Sequence, residues 1–216
     1  MVRLRPALVG IVAATVGVVS ATPGAYAAPS IDATPEKVAV VHSYENVRWS
    51  VNGVDLNNDW CSIELQHTSS RTLVDIDFAD ADASSGDMRI YDWEVRPGGY
   101  RMLAECDRAG NAVDDIIVKW GSRSSVTSTS RRGNTVAVAG TVTRWSPTYT
   151  AFRPWAGTKV TLQRYSAGRW RYVKTLTSDS RGRVSTTTFS SKPSSWRLSA
   201  KETSTTWGRD SQRAYR

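Results

Sequence analysis

The residues best suited to contact a ligand are tryptophans and arginines in the second half of the chain. Trp145, Trp155 and Trp207 each stand close to a proline or a glycine, in loop-like contexts where exposure and burial are equally expected. Arg144 and Arg153 lie near the first two of these tryptophans. Aromatic rings can stack on sugars or nucleobases, and guanidinium groups can neutralise phosphates. These five residues are therefore candidate ligand contacts.

Two other tryptophans are expected to fill a core. Trp170 and Trp196 lie in segments where apolar and polar residues alternate, which is typical of strands with one buried face. A domain of some eighty residues needs large apolar side chains to bury enough surface.

No catalytic motif is present in the sequence. The chain has no G-x-S-x-G elbow, no H-E-x-x-H helix and no phosphate-binding glycine loop. Its only histidines, His42 and His67, have no recognisable nucleophile or orienting partner nearby. We therefore expect a protein that is not an enzyme and needs no cofactor.

An acidic stretch raises the question of calcium. Asp80, Asp82 and Ser84 begin like a calcium loop, but Gly86 comes one position late and Tyr91 replaces the bidentate glutamate. We expect no metal in this loop, although a site assembled from several loops stays open. The preceding aspartates, Asp75 and Asp77, alternate with Val74, Ile76 and Phe78, so they are expected on the solvent face of a strand.

The N-terminus has the pattern of a secretory signal peptide. Arg3 and Arg5 precede an apolar run, and Ala25 and Ala27 give an A-x-A cleavage site. Residues 1–27 are therefore expected to be removed. The alternative is a membrane anchor, but polar and helix-breaking residues at 22–24 interrupt the run before the ~20 apolar residues that a span needs. No later run could span a bilayer, so the mature chain is expected to be secreted, either released or associated with the cell surface.

The two cysteines are expected to form a disulfide. Cys61 and Cys106 both fall on the apolar phase of alternating segments, and an exported protein meets an oxidising environment. The alternative is a pair of buried free thiols.

Charge divides the mature chain into two units. Residues 28–121 hold eight Lys and Arg against seventeen Asp and Glu, a net charge of −9, whereas residues 122–216 hold eighteen against three, a net charge of +15. Such asymmetry predicts separate domains. The polar segment 122–134 is expected to be a linker, part of which could pair as the first strand of a second domain, 135–216.

Short alternating runs predict an all-β fold. In the acidic unit, 28–121, seven such runs are separated by turn signals, at 37–42, 47–51, 60–66, 72–78, 88–95, 100–106 and 116–120. Seven short strands of this kind indicate a β-sandwich.

Both units resemble bacterial immunoglobulin-like domains. The stretch from Pro97 to Asn111 contains the P-G-x-Y strand and the D-x-A-G-N turn of such domains. In the basic unit, G-x-x-V-x-L-Q-R from Gly157, G-x-W from Gly168 and D-x-x-G from Asp179 resemble small modules of secreted actinobacterial proteins. The resemblance implies two Ig-like β-sandwiches and, for the second, an accessory rather than a catalytic role.

Taken together, these features predict a non-enzymatic secreted or cell-surface binding protein. Its partner would be an extracellular anionic or carbohydrate polymer or a protein, and cytoplasmic nucleic acid is not expected because the chain is exported. The alternative is a compact structural protein in which the acidic and basic domains dock on each other and no polymer is bound.

Overall fold

The computed structural model describes residues 28–216, which are built almost entirely from β-strands. The expected signal peptide, residues 1–27, lies outside the described residues. Within 28–216 the only helix is a 3-10 turn, Pro147–Tyr149, and none there is long and apolar enough to cross a membrane.

The first sandwich has eight strands. Their bounds are β1 Ser30–Thr34, β2 Lys37–Val40, β3 Tyr44–Asn52, β4 Cys61–His67, β5 Leu73–Ala79, β6 Ser85–Tyr91, β7 Gly98–Cys106 and β8 Gly110–Trp120. One sheet has the order β1-β3-β6 and the other β2-β8-β7-β4-β5, with β2 parallel to β8 and the other pairs antiparallel.

This strand order is that of an immunoglobulin-like sandwich. If β1 and β2 are counted together as the first strand, β3 and β6 are the second and fifth strands of the fold, and they pair in one sheet. Strands β4, β7 and β8 form the centre of the other sheet. Tyr100, near the start of β7, donates a hydrogen bond from its hydroxyl to the carbonyl of Arg96 at 2.8 Å, which is the tyrosine corner of such folds. Burial raises the pKa of Tyr100.

The expected disulfide is present, and it lies within one sheet. Cys61 on β4 and Cys106 on β7 are directly opposite each other in register and joined by a bond. Both side chains are buried among Ile63, Met102 and Ala104. The bridge therefore links two neighbouring strands, unlike the antibody disulfide that joins the two sheets.

Strand β5 has the opposite phase from the one that the sequence predicts. Ile76 and Phe78 are about half exposed on the outer face, whereas Asp75 and Asp77 are partly buried. Asp77 accepts a hydrogen bond at 2.9 Å from the indole of the buried Trp49, and Asp75 accepts one at 3.0 Å from the backbone N–H of Arg89. The inward position of these aspartates follows from the donors that the opposite sheet offers them.

The second sandwich has a similar order, with one additional short strand in its first sheet and no parallel pair among its strands. Its strands are β9 Ser122–Arg132, β10 Thr135–Ser146, β11 Ala151–Pro154, β12 Lys159–Ser166, β13 Arg169–Thr177, β14 Arg183–Phe189, β15 Ser195–Ala200 and β16 Ala214–Tyr215. In one sheet β10 pairs with β9 on one side and with β14 and β11 on the other; the second sheet has the order β13-β12-β15-β16. Alternate residues of β10, β12 and β15 fill a separate core.

The segment expected to be a linker is a strand. Residues 122–132 form β9, which pairs with β10 along almost its whole length. Only Gly121 separates β9 from β8 of the first sandwich. Polar side chains are tolerated in β9 because its exposed positions face solvent at the edge of the sheet, so polarity alone did not distinguish a strand from a linker.

Candidate interface for an anionic polymer

Trp145 is buried at the junction of the two sandwiches. It lies near the end of β10, yet its side chain packs with the hydrophobic core of the first sandwich. Its indole N–H donates to the buried carboxylate of Asp92 at 3.1 Å, and its backbone N–H donates to the carbonyl of Gly121 at 2.8 Å. Trp145 therefore joins the domains, and its ring face is not available to a ligand.

Trp155 and Trp207 are also structural. Trp155 is buried in the core of the second sandwich, where Ser178 donates a hydrogen bond to its carbonyl at 2.6 Å. Trp207 is half-buried at the junction, and its indole donates to the carbonyl of Val38 at 2.8 Å. The Lys119 ammonium lies 4.5 Å from the centre of the Trp207 ring. The rings of Trp145 and Trp155 are thus buried, so their faces are not open to a ligand, whereas part of the Trp207 ring is exposed and its contact with a ligand stays a prediction.

The two arginine candidates are brought together. Arg144 on β10 and Arg153 on β11 are register partners, and both are exposed. The guanidinium of Arg153 also lies 4.5 Å from the ring centre of Tyr149. Like charges directly opposite each other on a sheet are destabilising, so this pair is a place where a bound anion would relieve repulsion.

Of the tryptophans expected in the core, Trp196 lies there and Trp170 does not. Trp196 is fully buried. Trp170 is half-buried beside Tyr165 on the outer face, and the guanidinium of Arg197 lies 4.5 Å from its ring centre. The hairpin register explains this position, because Tyr165 and Trp170 are opposite each other and Tyr165 has the outward phase of β12.

The positive charge of the second domain is almost entirely unneutralised. All three of its acidic residues already form ion pairs: Asp179 with Arg183 at 2.9 Å, Asp210 with Arg197 at 2.6 Å, and Glu202 with Lys119 of the first domain at 2.6 Å. The backbone N–H of Arg183 lowers the pKa of Asp179 and keeps it ionised. Sixteen of the eighteen basic side chains therefore have no carboxylate partner within the described residues.

A cationic groove runs between β9 and the C-terminal segment. It has a volume of about 490 Å³, and Arg123, Arg209 and Arg213 line it together with Ser124, Ser125 and Gln212. The guanidinium of Arg123 packs on the ring of Phe152, 3.7 Å from its centre, so the charges of Arg209 and Arg213 are the freer ones. The one carboxylate in its lining, among residues 28–216, is that of Asp210, the partner of Arg197. The hydroxyl of Ser124 donates to the carbonyl of Arg209 at 2.9 Å, which fixes the two walls to each other.

Further basic residues gather at the end of the second sandwich that lies away from the first. Strand β9 carries the chain about 36 Å from the junction, at ~3.3 Å per residue, and the hairpins at this end come from β9–β10 and β12–β13. We call this end the distal tip; its basic residues are Arg131, Arg132, Arg164, Arg169, Arg171, Lys192 and Arg216.

The distal tip contains a second pair of opposed arginines. Arg164 and Arg171 are register partners across the β12–β13 hairpin. The 189–195 connection is held against the neighbouring hairpin by the guanidinium of Arg131, which donates to the carbonyl of Ser190 at 2.7 Å. The tip is therefore an ordered basic surface, and the segments that form it contain no acidic residue.

Sequence reasoning missed the groove and the tip for one reason. Their residues come from segments up to about ninety positions apart, such as Arg123 and Arg213, and only the pairing of strands brings them together. The net charge of +15 in residues 122–216 indicated a basic surface, but it did not show which basic residues lie together.

The two histidines lie in no cluster that resembles a catalytic or metal site. His42 is exposed and contacts Glu45 at 3.2 Å, and the ring of His67 contacts the hydroxyl of Ser70 at 3.0 Å. Within residues 28–216 no group of three or more His, Cys, Asp or Glu side chains is placed to hold a metal ion. Asp80 instead accepts hydrogen bonds from the backbone N–H groups of Asp82 and Ala83.

Comparisons with known proteins return only distant structural likenesses. No protein-family model and no curated protein matches the chain. The D0-D1 domain of intimin is 15% identical, covering 86% of this chain and 96% of its own, with a TM-score of 0.29. A tetra-tandem repeat in the extending region of a large adhesion protein is 15% identical, covering 87% of this chain and 48% of its own, with a TM-score of 0.33.

A superoxide reductase (neelaredoxin) from Ignicoccus hospitalis is 17% identical, covering 43% of this chain and 81% of its own, with a TM-score of 0.32. At these values the likenesses say nothing about what this chain binds. The assignment of two immunoglobulin-like sandwiches rests on the strand order and on the Tyr100 corner.

Proposed function

We propose that the chain is a non-enzymatic, exported binding protein of the adhesion type whose second domain engages an extracellular anionic polymer. The cationic groove and the distal tip would form the contact surface. One observation carries the proposal: within the described residues, the second domain has sixteen basic side chains without a carboxylate partner, because its three acids are already paired. Basic surfaces of this kind attract polyanions and accelerate their association.

The arrangement of the charges favours a polymer over a small anion. The basic residues extend from Arg123, next to the junction, through Arg213 to the distal tip. A linear polyanion can contact many of them at once and release the counterions that surround each, whereas a small anion can contact only a few. The resemblance of this domain to accessory modules of secreted actinobacterial proteins fits such a role.

The alternative of a purely structural protein has a specific observation in its favour. Trp145 and Trp207 join the two domains by hydrogen bonds and packing. However, the only ion pair across the junction within residues 28–216, Lys119 with Glu202, places the base on the acidic domain and the acid on the basic one. Contact between the domains therefore does not neutralise the net charges of −9 and +15, which are left free for a partner.

Retention on immobilised polyanions tests the proposal. Residues 28–216, with the disulfide formed, are applied to inorganic polyphosphate, to polyglutamate and to neutral dextran at low salt. We expect retention on the polyanions and none on dextran. Replacing two groove arginines, Arg209→Gln with Arg213→Gln, should weaken retention on polyphosphate.

A control with the same change of charge separates local contacts from overall charge. The variant Arg101→Gln with Arg108→Gln removes two exposed positive charges from the first domain. It should be retained on polyphosphate like the wild type. Equal weakening by both double variants would show that the groove has no particular role, and passage of the wild type through both polyanion columns would contradict the proposed function.

A further inference from the structure

The outer face of the β1-β3-β6 sheet carries a group of aromatic rings that the anionic polymer does not require. Tyr44 and Tyr91 are register partners on β3 and β6, with ring centres 6.1 Å apart. Trp93 follows in the next turn, with its ring centre 5.8 Å from that of Tyr91. Trp93 is 71% exposed, more than any other large hydrophobic side chain between residues 28 and 216.

The turn that carries Trp93 is held in place from both sides. The neighbouring Asp92 is buried, and its carboxylate accepts the indole N–H of Trp145 from the second domain. The backbone N–H of Asp92 donates to the carbonyl of Ser43 at 2.9 Å. Trp93 is thus exposed on a fixed turn, so little backbone ordering is needed when its ring binds a ligand.

A cation and hydrogen-bonding groups surround the rings. The guanidinium of Arg89 lies 5.3 Å from the ring centre of Tyr44 and covers one side of it. Asn46, the register partner of Arg89, lies beside it. Donors and acceptors therefore lie at the edges of the ring surfaces.

This face, as the described strands form it, surrounds the rings with polar side chains and has no aliphatic one. Its other outward residues are Ser30, Asp32, Thr34, Arg48, Ser50, Asn52, Ser85 and Asp87. Tyrosine, tryptophan and arginine also occur at the centres of protein interfaces, so the choice of ligand rests on the polar surroundings: rings with polar groups at their edges suit a ligand that has one apolar face and many hydroxyls.

We propose that Tyr44, Tyr91 and Trp93 form a binding site for a neutral pyranose chain. The C–H faces of sugar rings would lie on Trp93 and on the open side of Tyr44, and sugar hydroxyls would bond Arg89, Asn46 and the tyrosine hydroxyls. Tyr91 lies between the other two rings, with its ring centre 6.1 Å from that of Tyr44 and 5.8 Å from that of Trp93, and it is tilted against them by 54° and 35°. The site lies on the acidic domain and does not depend on the cationic groove.

Titration with defined oligosaccharides tests this site. Hexasaccharides of β-1,4-linked glucose, β-1,4-linked N-acetylglucosamine and α-1,4-linked glucose are added to residues 28–216 in a calorimeter, at low and at high salt. We expect at least one of them to bind with an affinity that salt leaves unchanged. Trp93→Ala should weaken that binding about 5- to 160-fold, if the ring contributes as much as one that stacks on a nucleobase.

Trp60→Ala is the matched control. Trp60 is also exposed and in the first domain, but it lies beside Phe78 at the other sheet, so its loss should leave binding unchanged. Binding of none of the three hexasaccharides, or equal weakening by both tryptophan variants, would overturn the site. Since the proposed polyanion contact weakens with salt and this one does not, failure of one is distinguishable from failure of the other.

Discussion

Replacement of Trp207 by phenylalanine should loosen the junction between the two domains. The change removes the indole N–H that donates to the carbonyl of Val38 at 2.8 Å, and it weakens the attraction to the Lys119 ammonium at 4.5 Å. A hydrogen bond contributes a net ~0.5–1.5 kcal/mol. A cation–π contact contributes ~0.5 kcal/mol at exposed sites and up to ~2 kcal/mol when desolvated, and phenylalanine keeps a part of it; here the ring and the lysine are both partly buried. We therefore expect the free energy of unfolding to fall by about 1–2 kcal/mol.

For a protein of this size, that loss corresponds to a fall in the melting temperature of about 2–8 °C. Differential scanning calorimetry of residues 28–216 measures it, with Trp93→Phe as a control that changes the same residue type at an exposed site and should shift stability by less than ~0.5 kcal/mol. A melting temperature for Trp207→Phe equal to that of the wild type would refute the assignment of Trp207 to the junction.

Three further predictions concern the fold. Cys61→Ala with Cys106→Ala should lower the free energy of unfolding by roughly 4 kcal/mol, because the bridge closes a loop of 45 residues; an unchanged denaturation midpoint would contradict this. Asp77→Ala should lower the free energy of unfolding by ~1–3 kcal/mol, because it leaves the buried Trp49 indole unpaired. Asp77→Asn keeps an acceptor for this indole and should lower stability less. Asp82→Ala, at an exposed site, should have little effect on the denaturation midpoint. The pKa of Asp55 is lowered by the Asn58 side chain and that of Asp179 by the Arg183 backbone N–H. Their contribution to stability is therefore present above the usual carboxyl pKa and lost as pH falls through the lowered values; Asp55→Asn with Asp179→Asn should reduce the acid sensitivity of the melting temperature below about pH 4, where an aspartate of ordinary pKa becomes protonated.

The sequence predicts most of the strands because burial on one face imposes alternation. Each of the seven runs expected in the acidic unit overlaps a strand, and the inward phase of Cys61 and Cys106 is confirmed together with their bond. The predicted phase of β5 was wrong. Ile76 and Phe78 are the more apolar residues and were expected to face the core, but Asp77 faces inward because it accepts a hydrogen bond from the Trp49 indole. Hydropathy does not record such a partner on another sheet.

The burial of the tryptophans that were expected to contact a ligand was harder to predict, for a related reason. Trp145 and Trp207 are next to turn-forming residues, as exposed rings often are, but those turns meet the other domain. Burial by a neighbouring domain leaves no periodic pattern in the sequence. Conversely, the outward position of Trp170 follows from the β12–β13 register, which fixes it opposite Tyr165.

The dependence of polyphosphate binding on salt tests the central claim most directly. If Arg123, Arg209 and Arg213 of the groove each contact the polymer, the logarithm of the association constant should fall with the logarithm of salt concentration with a slope of about −2 or steeper, at ~0.7 per contact. The Arg209→Gln with Arg213→Gln variant should reduce that slope by about 1.4, and the Arg101→Gln with Arg108→Gln control should leave it unchanged. A slope near zero for the wild type, or the same slope in all three proteins, would contradict the account.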